Sequence, residues 1–81
     1  MVIISFDEHF KRIFSKLDKS IKEKVIKQIE KLKENPEIGK PMRFIRKNTK
    51  EIYISSFRLS YFYIKEQSKI ILLDLYHKDE Q

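Results

Sequence analysis

The chain has no cysteine, a single glycine (Gly39) and only two prolines (Pro36 and Pro41) in 81 residues. Without cysteine there is no disulfide framework, no thiolate metal site and no thiol nucleophile, which fits a reducing compartment. Two histidines, His9 and His77, give a metal centre little to build on, so no metal is expected. One glycine also excludes a glycine-rich phosphate loop, and with it nucleotide hydrolysis of the common kind. No apolar run approaches the roughly 18 residues of a membrane span, and "MVIISFDEHF" has no cationic lead-in to a long apolar core. The expectation is a cytoplasmic protein with no membrane partner.

What is present is 41% hydrophobic, 12% aromatic and 37% charged residue content. That supports one packed domain spanning residues 1–81 with a well-solvated surface. A domain of this size buries only about 60% of its unfolded surface, so the core must be compact. Eighteen basic residues against twelve acidic ones leave a net charge of +6. Such a balance suits a polyanionic partner, a ribosome or nucleic acid, unless the lysines merely solvate the surface.

Along the chain, "VIISF" reads as a short strand. Ser5 with Glu8 three places on has the spacing of a capping box, and so do Ser20 and Glu23. Between and beyond them Phe6, Phe10, Ile13, Phe14, Leu17, Ile21, Val25, Ile29 and Leu32 recur every three or four residues, the period of amphipathic helix. The interruption at "LDKSIKE" divides the stretch into a helical hairpin. It ends at "ENPEIGKP", where Pro36 biases Asn35 away from helical angles. After Pro41 the period shortens: "EIYIS", "FRLSYFYI" and "KIILLDLYH" read as strands, "KEQSK" as the turn joining the last two into an antiparallel hairpin, and "RFIR" at 43–46 as an edge strand. The layout is α+β: an N-terminal strand, a two-helix hairpin, then an antiparallel meander with the helices on one sheet face.

Strand alternation divides the last two strands. Phe57, Leu59, Tyr61 and Tyr63 share one side of the first, and Ile71, Leu73 and Leu75 one side of the second. Arg58, Ser60, Asp74, Tyr76 and Lys78 then fall on the side the helices leave open. Positive charge is densest on the same part of the chain: Lys40, Arg43, Arg46, Lys47, Lys50 and Arg58 stand against Glu51 alone, +5 in nineteen residues. The helical segment from Asp7 to Glu34 has nine basic and six acidic residues, mixed as on a solvated surface. Clustered Lys and Arg on one face is what phosphate neutralisation requires, although "RFIRKNTK" also fits a plain solvated loop.

The order of these parts, with the helix-ending "NPEIGKPMR", the strand "FRLSYFY" and the closing "LLDLYHKDE", resembles the RelE/ParE superfamily of bacterial and archaeal type II toxins over essentially the whole chain. The resemblance implies a RelE-like microbial RNase fold. It also implies a ribosome-dependent mRNA endoribonuclease, in the RelE branch, silenced by a cognate RelB-like antitoxin with an acidic segment. In the ParE branch the target is DNA gyrase, and a non-catalytic, antitoxin-binding homologue is a further alternative. By the same resemblance Arg58 in "SFRLSYF" supports the scissile phosphate, and Lys78 in "YHKDE" matches the basic residue after the final strand, with His77 beside it. Two features depart from the pattern: Lys50 is the only lysine of "TKEIYIS", and no tyrosine follows Lys78.

The implied reaction needs neither metal nor cofactor, because RNA carries its own nucleophile. The protein must orient the chain, stabilise charge on the phosphoryl oxygens and move protons. Arginine suits the second task, since its planar fork binds phosphate oxygens bidentately and stays charged. His77 is the candidate acid or base, Lys78 a charge stabiliser or proton donor, and Tyr76 a stacking group or proton donor. The competing readings are an Arg58–Asp74 ion pair across the sheet and a His77 that only ends its strand.

Overall fold

The computed structural model describes residues 2–41 and 49–77. Among them the chain forms β1 (Ile3–Phe6), α1 (Glu8–Ser15), α2 (Lys19–Glu34), β2 (Lys40–Pro41), β3 (Thr49–Ile54), β4 (Phe57–Ile64), a 3-10 turn (Lys65–Gln67) and β5 (Lys69–His77). The strands lie in the order β1-β5-β4-β3-β2, with β1 parallel to β5 and every other pair antiparallel. This is the α+β layout expected from the sequence. The edge strand expected at 43–46 lies outside the described residues, and the short β2 just before it pairs with β3.

Both helix caps fall elsewhere than the capping-box spacing predicts. Ser5 pairs with Ile71 inside β1, and Phe6 with Leu72, so the chain stays extended until Asp7. Asp7 then caps α1, its carboxylate accepting the His9 N–H at 3.1 Å. Likewise Asp18, not Ser20, caps α2: its Oδ1 accepts the Ile21 N–H at 3.0 Å, and the Ser20 hydroxyl donates to the same oxygen at 2.9 Å. A carboxylate at a helix N-terminus gains from the dipole as well as the hydrogen bond, an advantage serine lacks. The Ile21 N–H first, and Ser20 second, hold the Asp18 carboxyl below its ordinary range.

Phe10 of α1 and Val25 and Leu32 of α2 pack on one face of the sheet, against Ile52, Ile54, Leu59, Tyr61, Ile70, Leu72 and Leu75. Val25 and Leu32 are seven residues apart, two helical turns, and so lie on one stripe of α2. In β4 the alternation places Leu59 and Tyr61 fully in this core, with Phe57 and Tyr63 packed at its margin.

In β5 simple alternation fails. Ser60 pairs with Asp74 but Tyr61 pairs with Leu72, so Leu73 is an extra residue, a β-bulge. The buried residues are therefore Ile70, Leu72 and Leu75, and not the expected set of Ile71, Leu73 and Leu75; Ile71 and Leu73 are half-buried.

Candidate functional site

The face away from the helices is organised around Arg58. Ser55 and Ser56 make the turn between β3 and β4, with Ser55 at φ 56°, and this tight connection sets Tyr53 directly opposite Arg58. On the other side Arg58 pairs with Tyr76 of β5. Glu51, two residues before Tyr53, shares its face by strand alternation and lies between Lys40 of β2 and Ser60 of β4.

The side chains interact across these strands. The Arg58 guanidinium stacks on Tyr53 with Cζ 4.5 Å from the ring centroid, and Lys40 Nζ is 5.1 Å from the same centroid. Arg58 Nη1 is 3.7 Å from Glu51 Oε1, and the Tyr76 hydroxyl donates to Glu51 Oε2 at 2.9 Å. Glu51 is well enclosed, with 13% of its side chain exposed, whereas Arg58 is 26% exposed and Tyr53 49%. At 3.7 Å the Arg58–Glu51 contact exceeds hydrogen-bond length and is held by charge.

The ion pair that Arg58 makes on this face is with Glu51, whereas the competing reading named Asp74. Asp74 follows the bulge, accepts the N–H of Leu75 at 2.8 Å and lies 3.0 Å from Nε2 of His9 on α1. The irregularity engages that carboxylate locally, and Glu51 takes its place beside Arg58. Ser60, expected on an open face, is buried with 6% of its surface exposed.

Of the other residues singled out in the sequence, Tyr76 and Lys40 join Arg58 on the same face. His77 does not: it pairs with Phe57, and the two rings meet edge-on at 5.4 Å on the helix side. Lys50 pairs with Tyr61 and so has the parity of the core face. Arg43, Arg46, Lys47 and Lys78 lie outside the described residues. Sequence reasoning passed over Glu51 and Tyr53, treating "KEIY" as a lysine-poor departure. The two-serine turn held the missing signal, because it fixes the register that brings both residues to Arg58.

Lys40 is seated by the core. The Tyr61 hydroxyl donates to the Pro36 carbonyl at 2.8 Å and accepts the Gly39 N–H at 3.0 Å, pinning the segment between α2 and β2. Burial pushes the Tyr61 phenol above its ordinary range, partly offset by the Gly39 N–H.

Two cations, an enclosed carboxylate and two tyrosines on one sheet face can bind a phosphate and an adjoining base and can move a proton. Comparison with known proteins bears on what this face serves. The family model described as "ParE toxin of type II toxin-antitoxin system, parDE" matches residues 5–81. Comparison with curated proteins finds no match. Among solved structures, the chain is similar to the toxin-antitoxin complex RelBE of E. coli (TM-score 0.84, 23% identity, 95% of this chain and 96% of that one). It is similar to the RelBE2 complex of Mycobacterium tuberculosis (TM-score 0.84, 24% identity, 94% and 96%). The YoeB/ParE toxin from Agrobacterium tumefaciens shares the fold at 13% identity (TM-score 0.82, 94% and 98%). With the family model covering all but its first four residues, the chain belongs to the ParE toxin family of type II toxin-antitoxin systems, within the RelE/ParE superfamily.

Proposed function

We propose that this toxin is a ribosome-dependent endoribonuclease that cuts mRNA by attack of the RNA's own 2′-hydroxyl on the adjacent phosphate, without metal or cofactor. The observation that carries this reading is the convergence of Arg58, Tyr76, Tyr53 and Lys40 on the sheet face away from the helices. Arg58 binds the phosphoryl oxygens and stabilises the charge that builds on them. Tyr53, half exposed, offers a surface on which a base can stack. Tyr76 supplies the proton to the leaving oxygen. Lys40, with Arg43, Arg46, Lys47 and Lys50 nearby in sequence and Lys78 two residues after Tyr76, provides the positive field that draws RNA and ribosome. His77, turned against Phe57, takes no step.

The partner that silences the toxin is a RelB-like antitoxin with an acidic segment. Support comes from the net charge of +6, and from an apolar groove lined by Val2, Ile4, Phe6 and Ile29 with Lys33 and Glu34 at its rim. Helix α2 carries six lysines against three glutamates, so an acidic amphipathic segment complements both its apolar and its charged surface.

Primer extension on a message under translation tests the nuclease reading. Wild type should leave cuts at codon-defined positions, and Arg58→Ala should cut roughly 10²- to 10³-fold more slowly, the usual cost of losing one charge-stabilising donor. Absence of such cuts on active ribosomes refutes it. The ParE description of the matched family favours a second reading, inhibition of DNA gyrase. A supercoiling assay separates the two, since only that reading predicts inhibition of purified gyrase.

A further inference from the structure

We propose that His9 and Asp74 form a ribose-reading subsite at the rim of the same sheet face, where the free ring nitrogen of His9 accepts the 2′-hydroxyl of a nucleotide next to the scissile one. This inference rests on the ribonuclease reading above. Cross-strand pairing sets Lys40, Glu51, Ser60 and Asp74 in one row, beside the row of Tyr53, Arg58 and Tyr76. Asp74 shares this face because the extra residue at Leu73 gives it the parity of Tyr76. Pairing of β1 with β5 ends at Phe6 and Leu72, and the Asp7 N–H makes the last bond on that edge, to the Leu72 carbonyl at 2.9 Å. Beyond it the first turn of α1 takes the place of a strand and brings His9 against Asp74. From Arg58, Asp74 is one strand across and two residues along, about 8 Å between Cα atoms. That is too far for the phosphate that Arg58 holds and suits the nucleotide beside it.

Hydrogen positions define the ligand. His9 Nε2 lies 3.0 Å from Asp74 Oδ1, and the same oxygen accepts the Leu75 N–H at 2.8 Å, so the carboxylate is fixed by the backbone. The backbone of His9 is held as well, its N–H donating to Asp7 Oδ2 at 3.1 Å. A carboxylate facing Nε2 keeps a hydrogen on that nitrogen, and the neutral ring then carries its lone pair on Nδ1. Among the described residues no protein group engages Nδ1, and 59% of the His9 side chain is exposed. An exposed pair of this kind adds little to stability, and the oriented acceptor stands open to a ligand. Nδ1 needs a donor. Phosphate diesters and deoxyribose supply none, whereas every ribose of RNA supplies its 2′-hydroxyl. Base amines are donors on some nucleotides only. The subsite therefore selects RNA over DNA beside the cut, independently of the hydroxyl that attacks.

Single-turnover cleavage on programmed ribosomes, at toxin concentrations below saturation, tests the subsite. The message keeps ribose at the nucleotide whose 2′-hydroxyl attacks. The nucleotide on either side carries in turn ribose or 2′-fluoro, which preserves the sugar pucker but has no hydrogen to donate. Wild type should cut about two- to tenfold more slowly with 2′-fluoro at one of the two neighbours, the range for one net hydrogen bond. His9→Ala should cut the all-ribose message more slowly by the same factor and should be indifferent to that replacement. Asp74→Ala, which keeps the ring but frees its tautomer and orientation, should lose most of the preference. Each ratio is taken within one protein, so a general loss of stability cancels and a merely structural role leaves it unmoved. Wild type indifferent to both replacements overturns the proposal, and so does a His9→Ala protein that retains the wild-type ratio. Asp74→Ala with the full ratio overturns the part given to Asp74. If wild type cuts no message on active ribosomes, the ribonuclease reading falls and the subsite with it; if it cuts and only the ratios are flat, the subsite falls alone.

Discussion

Gly39→Ala should destabilise the protein well beyond an ordinary loop substitution. A Cβ at this position would lie 2.6 Å from the Tyr61 hydroxyl oxygen, 2.7 Å from its Cε1 and 3.0 Å from the Glu51 carbonyl oxygen. Two of these three obstacles belong to a side chain that is fully buried under α2, and the third is backbone. The ring has nowhere to retreat without disturbing the core, and overpacking of this kind costs about 1–3 kcal/mol. Any shift of Gly39 that partly eases the clash also breaks its N–H bond to Tyr61, a further loss of about 1 kcal/mol. A total of about 2–4 kcal/mol is a large share of the stability of so small a domain, and at about 4–8 °C per kcal/mol it lowers Tm by roughly 8–32 °C. Urea unfolding followed by far-UV circular dichroism measures it. Tyr61→Phe supplies the control: it removes the 2.6 Å contact and both hydrogen bonds but leaves Cε1 in place. The two substitutions combined should therefore cost less than their sum, as expected for residues in direct contact. Gly39→Ala within about 0.5 kcal/mol of wild type, the range of an indifferent surface change, refutes the reasoning.

Ser68 ends the 3-10 turn in the left-handed region, at φ 48° and ψ 50°, where a side chain is strained. Ser68→Gly should raise stability by about 1 kcal/mol, visible as several degrees in Tm by calorimetry; no rise refutes the strain. Tyr61 gives the protein an alkaline limit. Because its folded phenol titrates above the ordinary value of about 10, its contribution is complete below about pH 10 and is lost as pH rises from there through the folded value. Tyr61→Phe should flatten that part of a stability-against-pH profile, and an unchanged slope counts against it.

The parts of this fold legible in the sequence are those whose signal is local. The helices announce themselves through apolar residues every three or four positions, and Arg58 through a permanent charge in an apolar strand. The caps were misplaced because a capping box counts spacing along the chain, whereas the end of β1 is set by pairing with β5, some 66 residues away in sequence. Glu51 escaped notice for a related reason. A lone carboxylate in a basic stretch draws no attention until the register and the contacts show it between Arg58 and Tyr76.

The bulge at Leu73 is the least legible feature and the one with most consequence for the site. "KIILLDL" is apolar at almost every position, so composition cannot say which residues face the core. With Ile70 and Leu72 buried, an unbroken strand would carry that parity and register onward, placing Asp74 and Tyr76 toward the helices and Leu75 opposite Arg58. The extra residue reverses the parity once. Leu75 then enters the core next to Leu59, His77 turns to Phe57, and Tyr76 comes to the open face with its hydroxyl on Glu51. A single inserted residue thus serves the core on both halves of β5. It also sets a tyrosine, not a leucine, opposite Arg58.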